Sequence, residues 1–139
     1  MKLEKQLTPL PQARRLDELG VKGESYYVWV EWGKLSDPVK RAEIHPKEVM
    51  DNRVCLADAA YRLFPAYSVP ELMDALPEEL DGAYLCVHKS IVCYRKPIYS
   101  EMATYYEELY IQRNTNLAEA LSDMLIRLIE NDLLPIPEK

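Results

Sequence analysis

A chain of 139 residues, 48% of them hydrophobic, suits one domain that buries about two-thirds of its unfolded surface, and it excludes wholesale disorder. Its formal charge of −6 disfavours binding along a nucleic-acid backbone, because phosphate contacts come from clustered Lys and Arg. No run nears the roughly 18 apolar residues that span a bilayer, and the start, MKLEKQLTPLPQARR, lacks the apolar centre of a signal peptide, so a cytoplasmic protein with no membrane partner is expected.

In chain order, residues 8–20 predict a short helix. Pro11 suits its first turn, Leu10, Ala13, Leu16 and Leu19 share a face, and Gly20 ends it with Val21 folding back. Arg14, Arg15, Asp17 and Glu18 read as its solvated side. The run SYYVWVEW, 25–32, is rich in aromatic and β-branched residues and predicts a strand. Both of its faces are largely apolar, which fits a strand covered on both sides or an edge that meets a partner. Residues 33–56 carry breakers at Gly33, Asp37-Pro38 and His45-Pro46, and predict an irregular surface excursion with room for one short strand. Residues 57–63 fit a short helix or turn ended by Pro65.

A second helix begins at Ser68. Ser68 and Glu71 have capping-box spacing, and Tyr67 and Leu72 have the spacing of a hydrophobic staple. Leu72, Met73, Ala75 and Leu76 read as its buried side. Glu71, Asp74, Glu78, Glu79 and Asp81 form an acidic run with no base among them, most simply a solvated face. Two apolar runs, 83–88 and 90–95, flank Lys89-Ser90 and predict a hairpin that Pro97 ends. Residues 99–106 fit either a helix or an irregular loop, and 109–112 a further strand.

The clearest helix is Asn114 to Asp132. Leu117, Leu121, Met124, Leu125 and Leu128 recur at helical spacing, Ala118, Ile129 and Leu133 extend the stripe, and Glu119, Ser122, Asp123, Arg127 and Glu130 fall on the other side. Asn116 is a good N-cap with Glu119 placed to reach back to it, Asn131 tolerates the left-handed end, and Pro135 and Pro137 forbid continuation. Each large side chain of the stripe contributes about 1.5–3 kcal/mol when buried, so the rest of the chain must pack around this helix.

The expected fold is α+β: one mostly antiparallel sheet of about four strands, at 25–32, 83–88, 90–95 and 108–112, with helices at 11–19, 69–76 and 117–131 packed on it. Strands that are not separated by helices argue against a doubly wound fold.

Candidate chemistry is sparse. If Lys89-Ser90 is a two-residue turn, Cys86 stands opposite Cys93, with His88 on the face of Cys86. Two thiolates and an imidazole make a partial zinc set without a fourth ligand, and buried thiols packing in a sheet are the simpler account. The three cysteines, Cys55 included, form no CxxC and are expected reduced in a cytosol, which makes a disulfide the weaker option. With two histidines, no GxSxG elbow and no phosphate-cradling glycine loop, no catalytic residue is assigned and no cofactor is expected. Tyr105 and Tyr106 beside Tyr110 suggest an exposed amphipathic patch of the kind enriched at interfaces, although they also suit a core with hydroxyls at its rim.

Three segments, PQARRLDELGVKGESYYVWV, FPAYSVPELMDALPEEL and NLAEALSDMLIRLIEND, together resemble short proteins encoded in phages, prophages and mobile elements of Bacteroidetes bacteria. The resemblance covers about a third of the chain and rests on caps and core stripes. It implies a small α+β domain in a bacterial cytoplasm, similar to phage domains built as an α/β/α sandwich, and it carries no active-site residue. The leading expectation is therefore a non-catalytic accessory protein that binds another protein or itself. The rivals are a metal-binding protein or enzyme using Cys86, His88 and Cys93, and an acidic nucleic-acid mimic that occupies a host protein through 71–81.

Overall fold

The computed structural model describes residues 2–21, 23–32, 41–51, 61–89, 91–114 and 116–134. Within them the chain is α+β, with two antiparallel sheets in place of the single sheet expected. The first sheet holds β1 (Tyr27–Trp32), β2 (Arg41–Pro46) and β3 (Tyr61–Ala66), in the order β2-β1-β3. The second holds β4 (Glu79–Leu80), β5 (Ala83–His88), β6 (Ile91–Tyr99) and β7 (Thr104–Arg113), in sequence order. The helices are α1 (Leu10–Glu18), a single turn α2 (Lys47–Asp51), α3 (Val69–Ala75) and α4 (Leu117–Glu130), preceded by a 3-10 turn at Leu3–Gln6.

The strand at 27–32 pairs with β2 and β3 and not with the hairpin. Its partner β3 occupies residues where a helix or turn was expected. Among the described residues β3 is an edge of its sheet, a position that accommodates the missing N–H of Pro65. Of the 33–56 excursion, β2 and α2 are ordered elements, and the rest lies outside the described residues, as do Pro135 and Pro137. The doubly apolar face pattern of β1 is explained by cover on both sides. Val28 and Val30 meet Met50 of α2 and Trp32 in a small core. On the other side Glu31, 4% exposed, pairs with Arg14 of α1, so Arg14 is not merely part of a solvated face.

Around α4 the main core closes. This helix touches β6 and β7 on one side and α1, α3 and the 3-10 turn on others. Its buried arc includes Ala118 and Ile129 as expected and is wider than the expected stripe, taking in Ala120 and Ser122 as well. Ser122, expected on the polar back, is fully buried because the segment before α1 packs there. Its hydroxyl donates to the Ala118 carbonyl (2.7 Å) and stands 3.3 Å from Thr8 Oγ1. Thr8 in turn exchanges hydrogen bonds with the Tyr67 backbone, and its carbonyl accepts the Trp29 indole N–H at 2.7 Å. One buried threonine thus ties the N-terminal segment to β1, to the entry of α3 and to α4.

The caps follow the sequence closely, with two changes. Ser68 and Glu71 form the capping box, and Tyr67 and Leu72 both sit in the core. Gly20, at φ 86°, closes α1, with the Val21 N–H donating to the Leu16 carbonyl. Asn116 caps α4 by accepting the Glu119 N–H. The Glu119 side chain, however, accepts from Gln12 of α1 rather than reaching back to the cap. At the other end the left-handed residue is Asp132 (φ 57°) and not Asn131, and Leu133 N–H closes onto the Leu128 carbonyl. Met73, expected in the core, is 40% exposed.

Candidate functional site: an exposed β-ribbon and a cross-strand thiol pair

The four-stranded sheet is uneven. The pairing of β5 with β6 stops at Tyr84↔Arg95, yet β6 and β7 stay paired out to Tyr99↔Thr104. Pro97 therefore does not end the strand. It stands just past the last β5–β6 pair, where a strand can lose an N–H at little cost. The distant part of β6 and β7, with residues 99–106, is a two-stranded ribbon rather than a helix or loop.

The ribbon turns at 100–103 without glycine, asparagine or proline. The Ser100 hydroxyl replaces their usual role. Its Oγ donates to the Ala103 carbonyl (2.7 Å) and accepts the Ala103 N–H (3.1 Å), while the Ser100 N–H donates to the same carbonyl (3.0 Å). At the base of the ribbon Arg95 bonds Glu108 at 3.4 Å and lies over the Tyr106 ring at 5.5 Å. From that girdle outward four large side chains face solvent: Tyr99 is 78% exposed, Met102 95%, Tyr105 54% and Tyr106 58%. Among the described residues nothing pairs with the outer edge of β7.

The three tyrosines singled out in the sequence do not form one patch. Tyr105 and Tyr106 are adjacent in a strand and so point to opposite faces of the ribbon. Tyr110 is separate. It takes a left-handed φ of 55° in a β-bulge and packs on the main core, with Arg127 of α4 over its ring at 5.6 Å. Tyr99 and Met102 belong to the exposed group and were missed. The only sequence signal for them is the alternation on either side of Ser100–Ala103.

The second constellation is the cysteine pair. Ala83, Leu85, Val87, Val92 and Tyr94 face the main core, so alternation places Tyr84, Cys86, His88, Cys93 and Arg95 on the far face of the sheet. Cys86 stands directly opposite Cys93, as a two-residue turn requires. Both are free thiols; Cys86 is half-buried and Cys93 is 2% exposed. Cys93 faces the bulge of β7, where Tyr110 and Ile111 occupy the interval between Leu109 and Gln112. Burial pushes the Cys93 thiol up, and the nearby Cys86 and Glu108 add to the rise. His88 is exposed and lies opposite Ile91. No group of three or more His, Cys, Asp or Glu among the described residues is placed to hold a metal ion.

Two other features bear on the rival expectations. In the acidic run Glu71 is engaged: its carboxylate accepts the Ser68 N–H (2.9 Å) and the Tyr26 N–H (3.2 Å). Glu71 and Asp74 edge a cavity of about 390 Å³ whose floor is formed by Val21, Leu72, Ala75 and Leu125. Tyr67, whose hydroxyl is pushed up to about 12 by burial, donates to the Gly23 carbonyl there and keeps its proton at neutral pH.

No family model, curated protein or solved structure matches this chain. No helix among the described residues is long and apolar enough to cross a membrane.

Proposed function

We propose that this protein works by binding another protein through the β6–β7 ribbon, without catalysis of its own. The observation that carries it is the exposure of Tyr99, Met102, Tyr105 and Tyr106 on a ribbon that α4 covers only at its base. Tyrosine and methionine are costly to leave in water and are favoured in interfaces, where they supply large contact area with few degrees of freedom. The free edge of β7 adds a row of backbone groups that an extended partner segment would pair with. A partner on that edge would meet Tyr105 from one side and Tyr106 from the other. Their opposite orientation then counts in favour of edge binding over binding at one flat face.

An accessory protein of phage or mobile-element origin, in a bacterial cytoplasm, is the setting we propose. It is supported by the resemblance of the three segments around α1, α3 and α4. The test is a comparison of the wild type with a ribbon variant carrying Tyr99→Ser, Met102→Ser, Tyr105→Ser and Tyr106→Ser. Each is immobilised and exposed to bacterial lysate, and the bound species are identified and titrated. Loss of affinity of about tenfold or more for a defined partner, with an unchanged melting temperature, is expected. Equal retention of every bound species by both proteins would remove the ribbon as the binding surface.

A further inference from the structure

We propose that Cys86 and Cys93 are a redox-modification site: in the presence of a low-molecular-weight disulfide such as oxidised glutathione the pair closes to a cross-strand disulfide, and a thiol reductant reopens it. This rests on the hairpin alone and is independent of how the ribbon is used.

The geometry is set by register. Cys86 and Cys93 are direct partners in the β5–β6 ladder and project from the same face of the sheet. Directly opposed residues in an antiparallel pair have Cα atoms about 4.5–5.5 Å apart, inside the roughly 4.4–6.8 Å that a disulfide spans. No strand has to slide and no side chain has to cross the sheet.

The two thiols are not equivalent. Cys86 is half-buried and reachable, while Cys93 is almost fully buried. Exposure and thiolate character govern which thiol a small oxidant meets. Burial, which holds the Cys93 thiol protonated to higher pH, points the same way. Cys86 is therefore the entry thiol and Cys93 the resolving thiol.

The steps balance. Cys86 loses its proton, and its sulfur attacks one sulfur of the glutathione disulfide. That S–S bond breaks, one glutathione thiolate leaves, and Cys86 carries the other half as a mixed disulfide. Cys93 then loses its proton, and its sulfur attacks the Cys86 sulfur. The Cys86–glutathione bond breaks, and the Cys86–Cys93 bond forms. The second glutathione thiolate leaves, and the two departing thiolates take up the two protons. Two electrons pass from the protein pair to the oxidant, which is reduced to two thiols.

The closed form covalently fixes the base of the hairpin whose second strand continues into the exposed ribbon. An oxidant would thus stiffen the root of the ribbon without altering its tip.

The experiment uses the full-length reduced chain. It is incubated with oxidised and reduced glutathione in graded ratio, acid-quenched, alkylated and measured by intact-mass spectrometry. Trypsin cleaves after Lys89, between the two cysteines, so the bond appears as a linked pair of peptides, distinct from any product at Cys55. Expected are the loss of two hydrogens, a Cys86–Cys93 peptide pair, and reversal by dithiothreitol. In Cys93→Ala the mixed disulfide should persist at Cys86, and in Cys86→Ser the rate of Cys93 modification should fall about tenfold or more. Near-UV circular dichroism confirms that each variant is folded, and the order of modification in the unmutated chain gives the same information if one is not. A wild type in which Cys86 stays glutathionylated without closure would overturn the proposal. So would one in which both thiols remain alkylatable at the most oxidising ratio, or in which Cys93 reacts first.

Discussion

Thr8 is small, fully buried and polar, and it joins four segments that are distant in sequence. Thr8→Val keeps the shape and removes the hydroxyl, leaving the buried Tyr67 N–H without its acceptor. A loss of about 1–3 kcal/mol is expected, read as a lower urea midpoint at unchanged slope. Asp123 on α4 is a different case. Burial raises its carboxyl above the ordinary range, against the hydrogen bond from Gln12 that lowers it, with Glu119 nearby adding to the rise. A raised acid binds its proton more tightly folded than unfolded, so its charged form subtracts stability at neutral pH. That loss is relieved as pH falls through the raised value. Asp123→Asn keeps an acceptor for Gln12 and removes the charge. It should raise the urea midpoint at pH 7, and the gap to the wild type should close below about pH 4, where the unfolded carboxyl is itself protonated.

Among the elements, the ribbon separates binding from stability. Lys96 and Glu107 are register partners, and joining them through Asn-Gly removes 97–106 and leaves a short hairpin. Because that segment packs against little, the melting temperature should change by only a few degrees, while binding to a ribbon partner should be lost. A large fall in melting temperature would place the segment in the core. The elements that were legible in the sequence are those whose signal is local. α1, α3 and α4 carry their caps and their apolar faces within about one dozen residues each, and the Cys86↔Cys93 register follows from a two-residue turn. The elements that were missed depend on non-local causes. β3 is a strand because β1 accepts it, despite Pro65. The ribbon turn is closed by a serine hydroxyl with no glycine, asparagine or proline to mark it. Ser122 is buried because a segment more than a hundred residues earlier lies over it. The Arg14–Glu31 pair joins a helix to a strand across a loop. Of the three tyrosines expected to share an exposed patch, Tyr105 and Tyr106 are exposed and Tyr110 is not, because the bulge that turns it toward α4 leaves no local mark.

Across the molecule the two sheets are joined through helices: α1 packs on β3 and on α4, and α4 packs on β6 and β7. The second sheet, α1 and α3 all rest on α4, whereas the first sheet has its own small core of Val28, Val30 and Met50. Leu121 lies at the centre of the larger cluster with no exposed surface. Leu121→Asp puts an unpaired charge there and is expected to abolish cooperative thermal unfolding in differential scanning calorimetry. A variant that still melts in one sharp transition near the wild-type temperature would show that the core is organised elsewhere.

The position of α4 along the chain has a consequence during synthesis. It is made after every strand and helix that rests on it. A ribosome delivers residues from the N-terminus at about 5–20 per second, so there is an interval when β5, β6 and β7 have emerged and their apolar face has nothing to lie against. The nascent chain then shows Leu85, Val87, Val92 and Tyr94 to solvent beside the outer edge of β7. That state is short-lived, and it closes only when Leu128 and Ile129 have left the exit tunnel.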